Sequence, residues 1–249
     1  MIFFLVSHCP ACVGALNVPT SLSTTSFKNY EFFINYNYSF GSSADVKLNA
    51  HTFNLTFVRN FSKFSLISVL PFTLSRSTHH SSIDNINTLY GIDMGFRYFP
   101  VYSKYSKTRS TLSILVSYKF PIGFYSLNNE NLRISEYISF GTGYAFIMNK
   151  IISYGEAIYS RALKRDHMQL DKARGILGFY YVFENFELGP ILNYVYQEAL
   201  SSDEISLGLS YGFSVNKLNI NLNAHKSVFY KGHGVENEFS FEISLKGGF

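Results

Sequence analysis

Gly208-Leu-Ser-Tyr-Gly212 has the GxSxG spacing of serine hydrolases. That chemistry needs the serine on a strained strand-to-helix turn, with a histidine in reach. Ser210 instead lies inside an unbroken alternation of apolar residues with Ser and Gly, so the pattern reads as mid-strand. The histidines that could serve it are scattered. His51 and His225 fall near strand ends, while His79-His80 and Arg165-Asp-His167 fall in polar stretches. Two adjacent histidines without a carboxylate at ligand spacing make a polar loop rather than a metal site. Cys9 and Cys12 are spaced CxxC, but a redox motif should open a helix after a strand; here it follows Met-Ile-Phe-Phe-Leu-Val. The sequence implies no catalytic residue, no metal and no cofactor. A hydrolase of lipase or protease type would have to use His51, His167 or Ser210.

With no local motif carrying chemistry, the composition and the elements have to. Of 249 residues, 47% are hydrophobic and 18% aromatic (25 Phe, 19 Tyr, no Trp), yet only 15% are charged. Average proteins are about 25% charged. A chain so rich in aromatics buries ample apolar surface and is not disordered. No apolar run approaches the 18 or more residues of a transmembrane helix. The net charge of +4 comes without a basic stripe beyond Lys164-Arg165, so no nucleic-acid partner is expected. An aromatic-rich soluble β protein and a transmembrane β-barrel remain.

The N-terminus reads as an export signal. Ile2–Val6 is a short apolar core, and Val13-Gly14-Ala15 offers small residues for cleavage after Ala15, although no Lys or Arg precedes the apolar run. The expected organisation is a signal peptide over 1–15, an N-terminal segment over 16–29 and a β domain over 30–249. A chain matured in this way would carry no cysteine.

Strand side chains alternate between two faces, and a membrane barrel shows this over segments of about ten residues. In 217–228 Leu218, Ile220, Leu222 and Ala224 alternate with Lys217, Asn219, Asn221, Asn223 and His225. In 205–215 Ile205, Leu207, Leu209, Tyr211, Phe213 and Val215 alternate with Ser and Gly. In 238–249 Phe239, Phe241, Ile243, Leu245 and Phe249 oppose Glu238, Ser240, Glu242, Ser244 and Lys246. Helical periodicity fits none of these. Similar segments occur near 30–40, 46–58, 63–74, 89–99, 110–122, 136–147, 151–161, 173–183 and 187–197, making about twelve strands. Val46 and Leu48 are out of phase with Phe53, Leu55 and Phe57, which predicts a slip or bulge in the second strand. Pro190 predicts a bulge or a late start in the ninth.

The connections alternate too. Asn60–Ser62, Asn149–Lys150, Glu184–Phe186 and Asn216 are tight, and Pro100–Arg109 is longer. On the other side Ser75–Thr88, Gly123–Ser135, Ala162–Lys172, Glu198–Ser202 and Phe229–Asn237 are mostly longer and polar. Short periplasmic turns and long extracellular loops are the rule for outer-membrane barrels. Tyr and Phe cluster at the strand ends, where interfacial girdles belong. The predicted fold is therefore all-β: a transmembrane antiparallel up-and-down β-barrel with both termini periplasmic.

The strand ending at Phe249 resembles the C-terminal assembly signal of bacterial outer-membrane proteins, carried by Phe239, Phe241, Ile243, Leu245 and Phe249. Three stretches resemble the outer-membrane transporter family named for the meta-pathway of phenol degradation: Asn54–Pro71, a hairpin ending in Leu-Pro; Tyr90–Tyr98, with Gly-x-Asp; and Ser117–Gly123, where Ile122 replaces the usual Thr. The resemblance implies an outer-membrane channel or transporter for passive uptake of small hydrophobic or aromatic molecules. Its partners would be outer-membrane lipid, the barrel-assembly machinery and a small solute. The alternatives are an outer-membrane hydrolase and a structural or adhesive barrel.

If the apolar face meets lipid, the polar face lines a lumen. The expected lumen-lining residues are Glu31, Asp93, Arg97, Lys119, Arg174, Glu187, Lys217, Glu238, Glu242 and Lys246. A charge placed on the lipid face at mid-depth costs about 2–4 kcal/mol for Arg or Lys, which is why these positions fall inward.

Overall fold

The computed structural model describes residues 29–42, 46–79, 82–89, 91–104, 108–121, 124–127, 130–133, 136–163, 171–198, 201–215, 218–232 and 236–248. The leader, Cys9, Cys12, His80, His167, Lys217 and Phe249 lie outside these residues.

Twelve strands form the wall. They are β1 (Tyr30–Ser42), β2 (Val46–Asn60), β3 (Phe64–His79), β5 (Ile92–Lys104), β6 (Thr108–Phe120) and β9 (Tyr137–Met148), followed by β10 (Ile151–Ala162), β11 (Lys172–Val182), β12 (Phe186–Gln197), β13 (Ser202–Val215), β14 (Leu218–Lys231) and β15 (Glu236–Gly248). Each pairs antiparallel with its neighbours, and β1 pairs with β15 to close the ring. Closure leaves no unpaired sheet edge, which is what lets strands cross a bilayer. Among the described residues no helix is long and apolar enough to cross a membrane. Three shorter strands lie in the longer connections. β4 (Ser82–Leu89) extends β3 as a hairpin, and β7 (Phe124–Leu127) pairs with β8 (Glu130–Arg133).

The alternation predicted from sequence sorts the side chains by face. Phe57, Leu66, Met94, Ile114, Phe140, Leu177, Leu209 and their fellows stand exposed on the outside. A continuous exposed apolar wall of this size has no place in water. Aromatic rings concentrate at its ends. At the tight-turn end Phe61 stacks on Phe64, Phe183 on Phe186, and Tyr211 lies against both Phe186 and Phe213. At the loop end Tyr118 meets Phe120 edge-on, and Tyr38 packs against His51.

Two local expectations fail. The register of β1 with β2 runs from Tyr30↔Arg59 to Ser42↔Lys47 without a shift, so β2 has no bulge. Leu48 points inward instead and is buried, because the lumen at that level accepts an apolar group. Nor does Pro190 delay or bulge β12. The strand starts at Phe186 and keeps one register with β13, while pairing with β11 lapses at Phe179 and Tyr180 and resumes in the same register. Pro190 faces outward, so its missing N–H costs a ladder bond without shifting the strand. The register shifts fall elsewhere, between Phe40 and Ser42, between Tyr98 and Val101, and between Ile205 and Ser206.

Gly189 sits beside this gap. A Cβ there would lie 1.9 Å from the Phe179 carbonyl oxygen. Gly189→Ala should therefore abolish the compact, heat-modifiable form on gel electrophoresis; a normally folded band would show that the two strands can part.

Candidate functional site: the barrel lumen

Away from the strand ends, most of the wall's charge stands at inward positions. Arg97 on β5 reaches Glu156 on β10 at 2.5 Å, past the two intervening strands β6 and β9. The chord is possible because β9 presents Gly141 and Gly143 to the interior. A Cβ at Gly143 would crowd Ser113 Oγ at 3.0 Å and approach Glu156. Lys246 Nζ lies 3.1 Å from Glu31 and 5.2 Å above the Phe33 ring. Asp93 and Lys119 are cross-strand neighbours, both buried. Arg174 lies in electrostatic reach of Glu242 and Glu156. Glu187 fills space over Gly212. Glu238 accepts a hydrogen bond from Ser42 Oγ at the loop end, and Glu242 accepts from Ser244 Oγ at 3.1 Å and Asn223 Nδ2 at 3.4 Å. Nine of the ten residues expected to line the lumen thus stand on the inner face, and Lys217 lies outside the described residues. Phe239, Phe241, Ile243 and Leu245 of the closing strand share the outer face.

Buried ion pairs lose heavily when one partner goes. Glu156→Gln, which strands the Arg97 charge, should cost about 3–5 kcal/mol in reversible unfolding, whereas the paired change Arg97→Met with Glu156→Met should cost much less. A double-variant loss equal to the sum of the Arg97→Met and Glu156→Met losses would mean that the two groups act independently.

The lumen is not an open bore. Phe33, Val58, Ile67 and Val69, from β1–β3, pack as one cluster with Leu115 on β6 and Ile158 on β10. β1 and β10 stand on opposite sides of the ring. An inward side chain of a water-filled pore would be wet, yet none of these six is more than 5% exposed. They form an apolar septum across the middle. A second cluster holds Ala145, Ile152 and Ile191 with Tyr154 and Tyr180, whose rings stack and whose hydroxyls bond at 2.7 Å.

Between the septum and the loop end, β1 and β11–β15 enclose a polar chamber of about 70 Å³. Its wall includes Arg174, Glu204 and Glu242, the amides of Asn37, Asn193 and Gln197, and His225, whose Nδ1 meets Asn193 Nδ2 at 3.0 Å.

Ser210 is mid-strand and buried, and His51 faces outward, with Tyr36 Oη 2.8 Å from its Nδ1. The two lie on opposite faces, so no Ser–His pair forms from them. Among the described residues no group of three His, Cys, Asp or Glu could hold a metal.

Sequence reading missed Glu156, which follows Gly155 in one of the less regular segments, and it missed the septum. Phe33, Val58 and Ile67 are apolar residues at inward positions, and such a residue looks like noise in an alternating pattern until register is known. The signal available was parity alone: Phe33 is the apolar exception among Glu31, Asn35, Asn37 and Ser39.

No family model matches the sequence, and no curated protein matches it. The likeness to the phenol-pathway family therefore rests on the three motifs alone. Solved structures match instead. An outer membrane channel from Pseudomonas putida F1 superposes with a TM-score of 0.69 at 10% identity, over 89% of this chain and 96% of that one. The transport unit of the autotransporter AIDA-I from Escherichia coli gives 0.60 at 11% identity, covering 96% and 95%. The beta domain of the Bordetella autotransporter BrkA gives 0.54 at 11%, covering 89% and 100%. The fold is that of the outer-membrane β-barrels. At these identities the likeness concerns the fold alone.

Proposed function

We propose that the chain is a bacterial outer-membrane channel that passes small solutes passively, its lumen narrowed by the apolar septum. The observation that carries this reading is the pairing of an exposed apolar wall with an inward face of charges and amides. Twelve strands lie between the eight that side chains fill and the sixteen that leave an aqueous channel, consistent with a restricted path. In this reading the tight turns and both termini are periplasmic, the longer loops face outward, outer-membrane lipid surrounds the wall, and the assembly machinery reads the closing strand. The chamber's amides and carboxylates favour polar solutes over the aromatic ones that the family resemblance implied.

Vesicles reconstituted with the purified chain should swell in isotonic solutions of small polar solutes, with rates falling steeply as solute size grows. Swelling no faster than in protein-free vesicles, for every solute, would overturn the reading.

A further inference from the structure

Two residues lining the chamber beneath the loop end carry buried oxygens that no donor among the described residues meets. Gln197, only 8% exposed, lines it and has an Oε1 without a hydrogen-bond partner among the described residues, and the Oδ1 of Asn193, also of the lining, is likewise buried and unmatched. Buried carbonyl oxygens are rarely left so, because each forfeits the hydration it had in water. Beside them stand the carboxylates of Glu204 and Glu242, with Arg174 as the one Lys or Arg of the lining. Glu242 and Glu156 both face that arginine. What would complete this wall is a compact group with several donors and a positive charge. A primary ammonium has three donors and no acceptor.

We infer that the chamber is a binding station for the primary ammonium of a small solute, held by Gln197, Asn193 and the carboxylates of Glu204 and Glu242. A chamber of about 70 Å³ has room for roughly five water-sized groups, so it takes an amine of four or five heavy atoms or the ammonium end of a longer one. The inference names the solute class of the proposed channel and rests on that reading for transport, but not for binding.

The test titrates the folded chain in detergent micelles with ethanolamine, ethylene glycol and acetate, which share size and differ in charge. Ethanolamine should bind, ethylene glycol more weakly, and acetate not at all. Glu242→Gln should weaken ethanolamine about tenfold or more, the loss expected for one hydrogen bond to a charged group. Glu204→Gln serves the same purpose if that variant lacks the heat-modifiable folded form. Acetate binding as well as ethanolamine, or ethanolamine unaffected by a folded carboxamide variant, would overturn the inference. The same preparation in a planar bilayer with a salt gradient separates the two readings. Ethanolamine binding without current would sink the channel and leave the station; current without ethanolamine binding would do the reverse.

Discussion

Replacing Leu209 by arginine should destabilise the folded barrel by about 2–4 kcal/mol, the cost of a cation on the lipid face near mid-depth. Leu209 lies midway along β13, is 53% exposed and faces Ala224 and Pro190 across the outer wall. Asn223, one strand over, is its inward counterpart and pairs with Ser210. Asn223→Arg should cost far less, because the new guanidinium would lie beside the Glu242 carboxylate that Asn223 Nδ2 already approaches. Reversible unfolding of both variants in lipid vesicles measures the difference. A one-residue register error would exchange the two results, since every side chain would change face. Greater damage from Asn223→Arg would therefore reverse the inside and outside assigned throughout.

Phe33→Ala should open the lumen. The ring is 1% exposed, lies under the Lys246 ammonium and supplies the largest side chain of the septum. In a sealed core the truncation would cost about 3–5 kcal/mol through the cavity it leaves. Here the vacated space adjoins Glu31, Asn35 and Lys246, polar groups that hold water, so the loss should be smaller. The larger effect should be on transport, with small-solute swelling rates of reconstituted vesicles rising several-fold and the size cut-off moving upward. Phe33→Leu, which keeps an apolar plug, should remain near the parent rate. Unchanged swelling in a folded Phe33→Ala barrel would mean that the constriction lies elsewhere.

The two predictions depend on parts of the molecule that were unequally visible in the sequence. Leu209 was legible because parity in β13 is unbroken: the apolar residues on one side and the Ser and Gly on the other leave only one face for lipid. The twelve wall strands followed from the same rule, together with the alternation of short and long connections. Inward charge followed from the cost of placing it in hydrocarbon. Phe33 was not legible, because what a lumen-facing residue touches is set by strands half a ring away. Phe33 and Ile158 are 125 positions apart in sequence and meet only once the barrel closes. The Arg97–Glu156 chord has the same origin, since neither residue shares a strand pair with the other. Leu48 and Pro190 misled for a local reason. Each breaks an average preference of strands, and the wall absorbed both without a shift, by burying the one inward and turning the other to lipid.

The most direct test of a water path inside a lipid-facing wall is single-channel recording of the parent chain in a planar bilayer. Discrete current steps of small amplitude, carried more by cations than by anions, are the predicted result. A folded, inserted barrel that passes no current at any voltage would contradict the account.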